Sequence, residues 1–329
     1  MTVLHGHDAA VAAFRSGLDT GRLHHAWLIA GPQGIGKALF ADMAAARLLA
    51  EQAGPAVGAP GLELPEDHRI AKLIAAGSHP DFVRLERLTK ESGTELARSI
   101  TVDQVRSLQR LFATTPSLSP WRAVVIDSID DLERNAANAL LKNLEEPPAN
   151  SVFLLVSHAP ERLLPTIRSR CRVLRLSPLK SDVMAAALKS ALPDAEEEEI
   201  MSLVETGQGA PGRAIAFRGL DIRSLDESLE RLAREGDPTN ARRSALAQGL
   251  SLKSAQARYE AFLDRAPSLI ATQARRRSGA SLAQALSLWE RASELASSAR
   301  HLSLDPQSTV FELAGMLAAL APAEASRRA

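Results

Sequence analysis

The stretch Gly31-Pro32-Gln33-Gly34-Ile35-Gly36-Lys37-Ala38 decides how this chain folds. It satisfies G-x-x-x-x-G-K, follows a short apolar run at 25–30 and precedes an Ala-rich stretch at 39–49 with no helix breaker. Strand, glycine turn and helix in that order predict a phosphate-binding loop. The glycines let backbone N–H groups turn onto phosphate oxygens, the helix presents its positive end, and Lys37 adds a full charge. The next position needs a hydroxyl to ligate magnesium. It is Ala38, and a methyl group cannot coordinate a metal. The plainer alternative is a Gly-rich turn that happens to precede a lysine.

Working outward, residues 123–127 read Ala-Val-Val-Ile-Asp, a buried-type strand ending in an acid. Asp127 is the candidate for holding magnesium; its plainer role is a cap at the start of the next segment. An ATPase of this type places a glutamate next, to orient the attacking water. Here that residue is Ser128, with Asp130 and Asp131 nearby. Positioning is most of the catalysis in phosphoryl transfer, so an acid two or three residues off the strand end aims elsewhere. Helical spacing covers 100–112, with Thr101 as its cap, and 135–144, which stops at Pro147-Pro148. A further apolar strand spans 151–156. Strands alternating with helices predict a parallel sheet covered on both faces. The stretch 53–66 is rich in Gly and Pro and is expected to be a loop. Beyond Pro178 the pattern is helical throughout. This predicts domains at 1–178, 179–238 and 239–329, with a frayed tail at 321–329.

The 329 residues carry 39 basic and 39 acidic side chains, a formal net charge of zero, and 45% are apolar. A protein that coats nucleic acid or membrane by bulk electrostatics needs a basic excess, so that class is excluded. One Tyr, three Trp and eight Phe leave few rings on which to stack bases. Arg275-Arg276-Arg277 is a local basic run, read as a solvated face. The lone cysteine, Cys171, excludes an internal disulfide and a multi-Cys zinc site, and fits a reducing cytoplasm. No stretch approaches the ~20 apolar residues of a membrane span. The first residues lack the basic start and apolar core of a targeting segment.

Three blocks carry a resemblance. Residues 21–27 (GRLHHAW) lead into the loop, 138–148 read NALLKNLEEPP, and 164–171 read LPTIRSRC. In that order across 5–178 they resemble the bacterial clamp-loader subunits. The losses at Ala38 and Ser128 make the chain similar to the non-motor members of that family. The resemblance implies an α/β P-loop AAA+ domain with a parallel sheet, followed by a helical lid domain and an all-α collar domain that joins a five-subunit ring. It implies a cytoplasmic, non-hydrolysing stator that helps load the sliding clamp on primed DNA in replication. Gamma/tau and delta subunits would be its partners, with clamp and DNA met through the complex and no membrane involved.

The resemblance also assigns residues. Arg170, in Ser169-Arg170-Cys171, is implied as an arginine finger inserted in trans into a neighbour's ATP site. A guanidinium suits this role because it is always charged and presents a rigid fork to phosphate oxygens. The alternative is a surface arginine in the alternating series Arg168, Arg170, Arg172 and Arg175. Ser157 matches the first sensor position and Arg213 the second; their plainer roles are a strand-end cap and a helix start. The degenerate nucleotide set is then Gly31, Gly34, Gly36, Lys37, Ala38, Asp127, Ser157 and Arg213. ATP with magnesium is doubtful as a cofactor. Many members of the family carry a four-Cys zinc module where residues 51–78 lie here without a cysteine, so no zinc and no other metal site is expected. The rival reading is an ATP-hydrolysing motor, either gamma/tau-like or another autonomous AAA+ ATPase. It requires Asp130 or Asp131 to replace the missing glutamate.

Overall fold

The structure is a computed structural model that describes residues 3–322 apart from 66, 90–92, 94, 95 and 303. Residues 323–329, in the tail expected to fray, lie outside the described residues. The chain divides into two compact units, Met1–Ala216 and Phe217–Ala329.

The first unit is built on five parallel strands: β1 (Ala26–Ala30), β2 (Phe82–Glu86), β3 (Arg122–Asp127), β4 (Ser151–Ser157) and β5 (Arg172–Arg175), in the order β2-β3-β4-β1-β5. The glycine loop leaves β1, the strand between β4 and β5. The central strands are apolar almost without interruption because both faces are covered. Successive side chains point to opposite faces. Trp27, Ile29, Val125 and Leu154 therefore pack on α1 (Asp8–Asp19), α2 (Lys37–Ala53) and α3 (Arg69–Ala75). Leu28, Val124, Ile126 and Leu155 pack on the opposite face, against α4 (Val102–Ala113) and α5 (Arg134–Glu145). Thr101 and Gln104 close a reciprocal capping box at the start of α4.

Four elements of the first unit lie outside the sequence reading: α3, β2, β5 and the short helix Pro165–Arg168. The two strands are the edges of the sheet. Both are short, and their solvent faces are polar, so neither carries the apolar run that marks β1, β3 and β4.

An arginine organises the long loop after α2. Arg47 is 3% exposed. Its guanidinium donates to the carbonyls of Val57 (3.0 Å), Ala59 (2.9 Å) and Glu63 (2.6 Å), and its Nε to Glu51 Oε1 (2.7 Å). Further on, the buried Asp81 carboxylate accepts from the backbone N–H groups of Ser117, Leu118 and Ser119 at 2.7–3.0 Å, fixing the approach to β3.

The short α6 (Pro165–Arg168) precedes β5. After β5 come α7 (Ser181–Ala191), α8 (Glu197–Gly207) and α9 (Pro211–Ala216), with a small core of their own from Met184, Leu188, Ile200, Leu203 and Ala214. The second unit is all helical: α10 (Ile222–Glu235), α11 (Ala241–Leu250), α12 (Gln256–Ala274), α13 (Gly279–Leu302) and α14 (Pro306–Ala318). Leu225, Leu229 and Leu232 of α10 join the core formed by Phe262, Ile270, Leu313 and Leu317. In the structure α10 thus packs with the helices that follow it, whereas the sequence grouped it with 179–238. Arg277 of the basic run donates to the Leu320 carbonyl at 2.6 Å. Among the described residues no helix is long and apolar enough to cross a membrane.

Removing Arg47 strands three carbonyls and leaves Glu51 with Arg15 alone as its cation, at 2.6 Å. Arg47→Met is expected to lower the free energy of unfolding by about 3–5 kcal/mol, read from urea titrations. Because a side chain holds this loop, a chelator is expected to leave the wild-type melting temperature unchanged.

Candidate functional site

Parallel strands deliver all their C-terminal ends to one edge of a sheet. The register pairs Ala30 with Ser157, Val156 with Asp127, and Asp127 with Glu86. The glycine loop, Asp127 and Ser157 come from distant segments and meet along that edge for this reason alone.

The loop's glycines are needed where backbone approaches backbone. Gly31 has φ 154°, and a Cβ there would lie 2.4 Å from the Leu176 carbonyl oxygen. Gly34 has φ 80°, and its Cβ would lie 2.6 Å from the Arg213 nitrogen. The Gly212 N–H donates to the Gly34 carbonyl at 2.8 Å, so the start of α9 sits directly on the loop. Arg213 is brought to the loop through its backbone; its guanidinium donates to the Gly207 carbonyl at 2.9 Å.

Lys37 opens α2 and is 3% exposed. Its ammonium donates to the Gly31 carbonyl at 2.7 Å and to the Pro32 carbonyl. Burial lowers its pKa from 10.5 to about 8, with the charges of Asp130 and Asp127 partly opposing the shift.

Asp127 lies at the end of β3, where the sequence placed it, but it already has a cation. Arg84 of β2 donates from Nη2 to Asp127 Oδ2 at 2.6 Å, from Nε to Glu86 Oε2 at 2.9 Å, and from Nη1 to Asp42 Oδ2. Burial raises the pKa of both Asp127 and Asp42 despite the guanidinium between them. Neither Arg84 nor Asp42 was found from sequence. Arg84 belongs to an edge strand with little apolar signature, and Asp42 is one polar residue in an Ala-rich helix. The signal was available only through the pairing of β2 with β3.

The two acids after Asp127 are engaged as well. Asp130 accepts from Ser157 Oγ at 2.9 Å and from the backbone N–H groups of His158 (2.6 Å) and Ala159 (3.3 Å). It clasps the end of β4, and Ser157 is fully buried beneath it. Asp131 accepts from Ser128 Oγ at 3.3 Å and pairs with Arg87 at 3.2 Å. A P-loop fold implies magnesium with ATP, and the residues here do not fit that ion: Ala38 offers no ligand, and the Asp127 oxygen is bonded to a guanidinium. With Arg84 in place, no three His, Cys, Asp or Glu side chains among the described residues stand close enough together to hold a metal ion.

Arg170 stands apart from this set. It lies between α6 and the start of β5, whose first residue pairs with Trp27, near the start of β1. That is the N-terminal edge of the sheet, the opposite edge from the loop. Its guanidinium pairs with Glu145 Oε1 at 2.9 Å, donates to the Thr166 carbonyl at 2.9 Å and remains 34% exposed. Beside it, burial pushes the Cys171 thiol up to about 12.

The Lys37 shift gives a signed expectation. Between about pH 8 and 10.5 the unfolded chain binds the proton that the folded chain has released, so stability rises with pH across that window. Measured against Lys37→Met by urea denaturation, the wild type should gain roughly 2–3 kcal/mol over the window. A flat difference would mean the buried ammonium is no harder to protonate than a free one.

A family model described as DNA polymerase III, delta subunit, matches residues 6–180. DNA polymerase III subunit delta' of Pseudomonas aeruginosa is 40% identical over 200 residues, 60% of this chain and 57% of the relative. Subunit delta' of Escherichia coli is 32% identical over 222 residues, 65% and 61% of the two chains. Subunit gamma of Buchnera aphidicola is 32% identical over 187 residues, 57% and 47%. The chain thus spans between 47% and 61% of the length of these relatives. Among solved structures, a DNA polymerase III gamma-subunit-related protein of Thermotoga maritima covers 93% of this chain and 98% of its own, at 15% identity and a TM-score of 0.44, too loose a likeness to argue from. By the match over more than half its length the chain belongs to the DNA polymerase III delta-subunit family.

Proposed function

We propose that this chain is a non-hydrolysing subunit of the DNA polymerase III clamp loader. In that role it acts as a stator in the ring that loads the sliding clamp on primed DNA, and gives Arg170 in trans to the ATP site of a gamma/tau neighbour. Delta and gamma/tau subunits are its direct partners, and the cytoplasm is its compartment. The observation that carries the reading is the state of the acids after β3. A motor needs a carboxylate free to orient water, and both Asp130 and Asp131 are bonded within the chain. Arg170 pairs with Glu145 but stays 34% exposed at the sheet edge away from its own loop, which supports a target on another molecule.

The purified chain should show no ATP turnover above background. In a ring reconstituted with gamma and delta subunits, Arg170→Ala should lower the rate at the one ATP site it reaches by ~10³-fold or more. Arg170→Lys should rescue little, since an ammonium lacks the planar fork. Gel filtration should show both rings assembled. An unchanged clamp-stimulated rate in Arg170→Ala would sink the finger role, and robust turnover by the chain alone would restore the motor reading.

A further inference from the structure

The edge of the sheet where a P-loop protein places its magnesium contains a different cation. Arg84 reaches from the middle of β2 and spreads its guanidinium over three carboxylates: Asp42 from α2, Glu86 from β2 itself, and Asp127 from β3. Every nitrogen of the group that can donate points at an acid. Asp42 and Asp127 are partly covered, at 34% and 22% side-chain exposure, with Arg84 at 27%, while Glu86 at 54% forms the solvent-facing rim of the cluster. The register explains the geometry: β2 and β3 run parallel with Arg84 beside Val125 and Glu86 beside Asp127, so an arginine two residues back from the strand end reaches the acid on the neighbouring strand.

We propose that Arg84 is a resident counterion standing in place of the divalent cation, and that it, together with the loss of the hydroxyl at Ala38, makes this site blind to metal. Two independent features then defeat magnesium. Ala38 removes one ligand. Arg84 removes another by bonding it, and adds a positive charge that repels an incoming ion. The carboxylates in turn neutralise the arginine: a partly buried guanidinium beside β3 without acids would be costly. The inference deepens the non-hydrolysing reading but rests on residues of this chain alone, so it is tested without the ring.

The experiment is titration of the full-length chain with Mn²⁺, followed by electron paramagnetic resonance of the free ion. Wild type should leave the Mn²⁺ signal unchanged. Arg84→Ala should take up one ion as Asp42, Glu86 and Asp127 close on it, with affinity at least about tenfold above wild type, a difference of roughly 1.4 kcal/mol. Arg84→Met, which keeps the aliphatic stem and its packing, should behave as Arg84→Ala does. Arg84→Lys keeps a positive charge and should take up none. Adding Asp127→Asn to Arg84→Ala should abolish the gain. Tight Mn²⁺ binding by wild type that Asp127→Asn removes would overturn the proposal. So would equal uptake by Arg84→Lys and Arg84→Met, or no gain in either neutral variant. The wild-type arm needs no variant to fold. Failure of this test would leave the Arg170 role standing, and failure of the ring assay would leave this one standing.

Discussion

Parallel hydrogen bonding of β1 between β4 and β5 is the constraint on which the first unit depends. A strand paired on both sides and covered on both faces has no freedom at its ends. It must leave the sheet where its neighbours leave, at a shared edge. Ala30 beside Ser157 and Asp127 beside Val156 follow from that register, and so do the loop, the acid and Ser157 meeting without any direct sequence link. The same constraint sends Arg170 to the other edge. One sheet thereby separates the glycine loop, whose Lys37 is bonded to its own backbone, from an arginine left partly exposed at the other edge.

Guanidinium groups do much of the fastening. Arg47 gathers three carbonyls of the loop after α2, and Arg84 gathers three carboxylates at the strand ends. Arginine suits both tasks because it offers five donors in a fixed plane and stays charged at any physiological pH. Such a fastening is covalently part of the chain. It cannot dissociate or exchange with the surrounding ion pool, and it forms as folding proceeds. Its cost is desolvation, which the carbonyls and carboxylates offset only while every partner stays in place.

How much was legible in the sequence follows from where each residue sits. The buried strands β1, β3 and β4 announce themselves because a strand covered on both faces must be apolar throughout, and the loop does because its glycines occur at fixed spacing. The edge strands were silent. Phe82–Glu86 and Arg172–Arg175 have one partner each and polar solvent faces, so they lack that signature. The most informative site residue, Arg84, lies on one of them. Its meaning depends on pairing between segments some forty residues apart, which no local pattern encodes. Asp130 was visible as an acid near the strand end, but its engagement with Ser157 and the following backbone is a tertiary fact. The helix α10 was visible as a helix; the partners of its Leu225, Leu229 and Leu232 were not.

The burial of Cys171 has a practical side. A thiol with its pKa pushed up to about 12 holds almost no thiolate at neutral pH, and only the thiolate attacks alkylating reagents. As the only cysteine of the chain it is therefore nearly silent to maleimides and iodoacetamides. A single cysteine introduced on the exposed surface of either unit would be the reactive one, so fluorophores or spin labels can be placed site by site in the native background without first altering the residue beside Arg170.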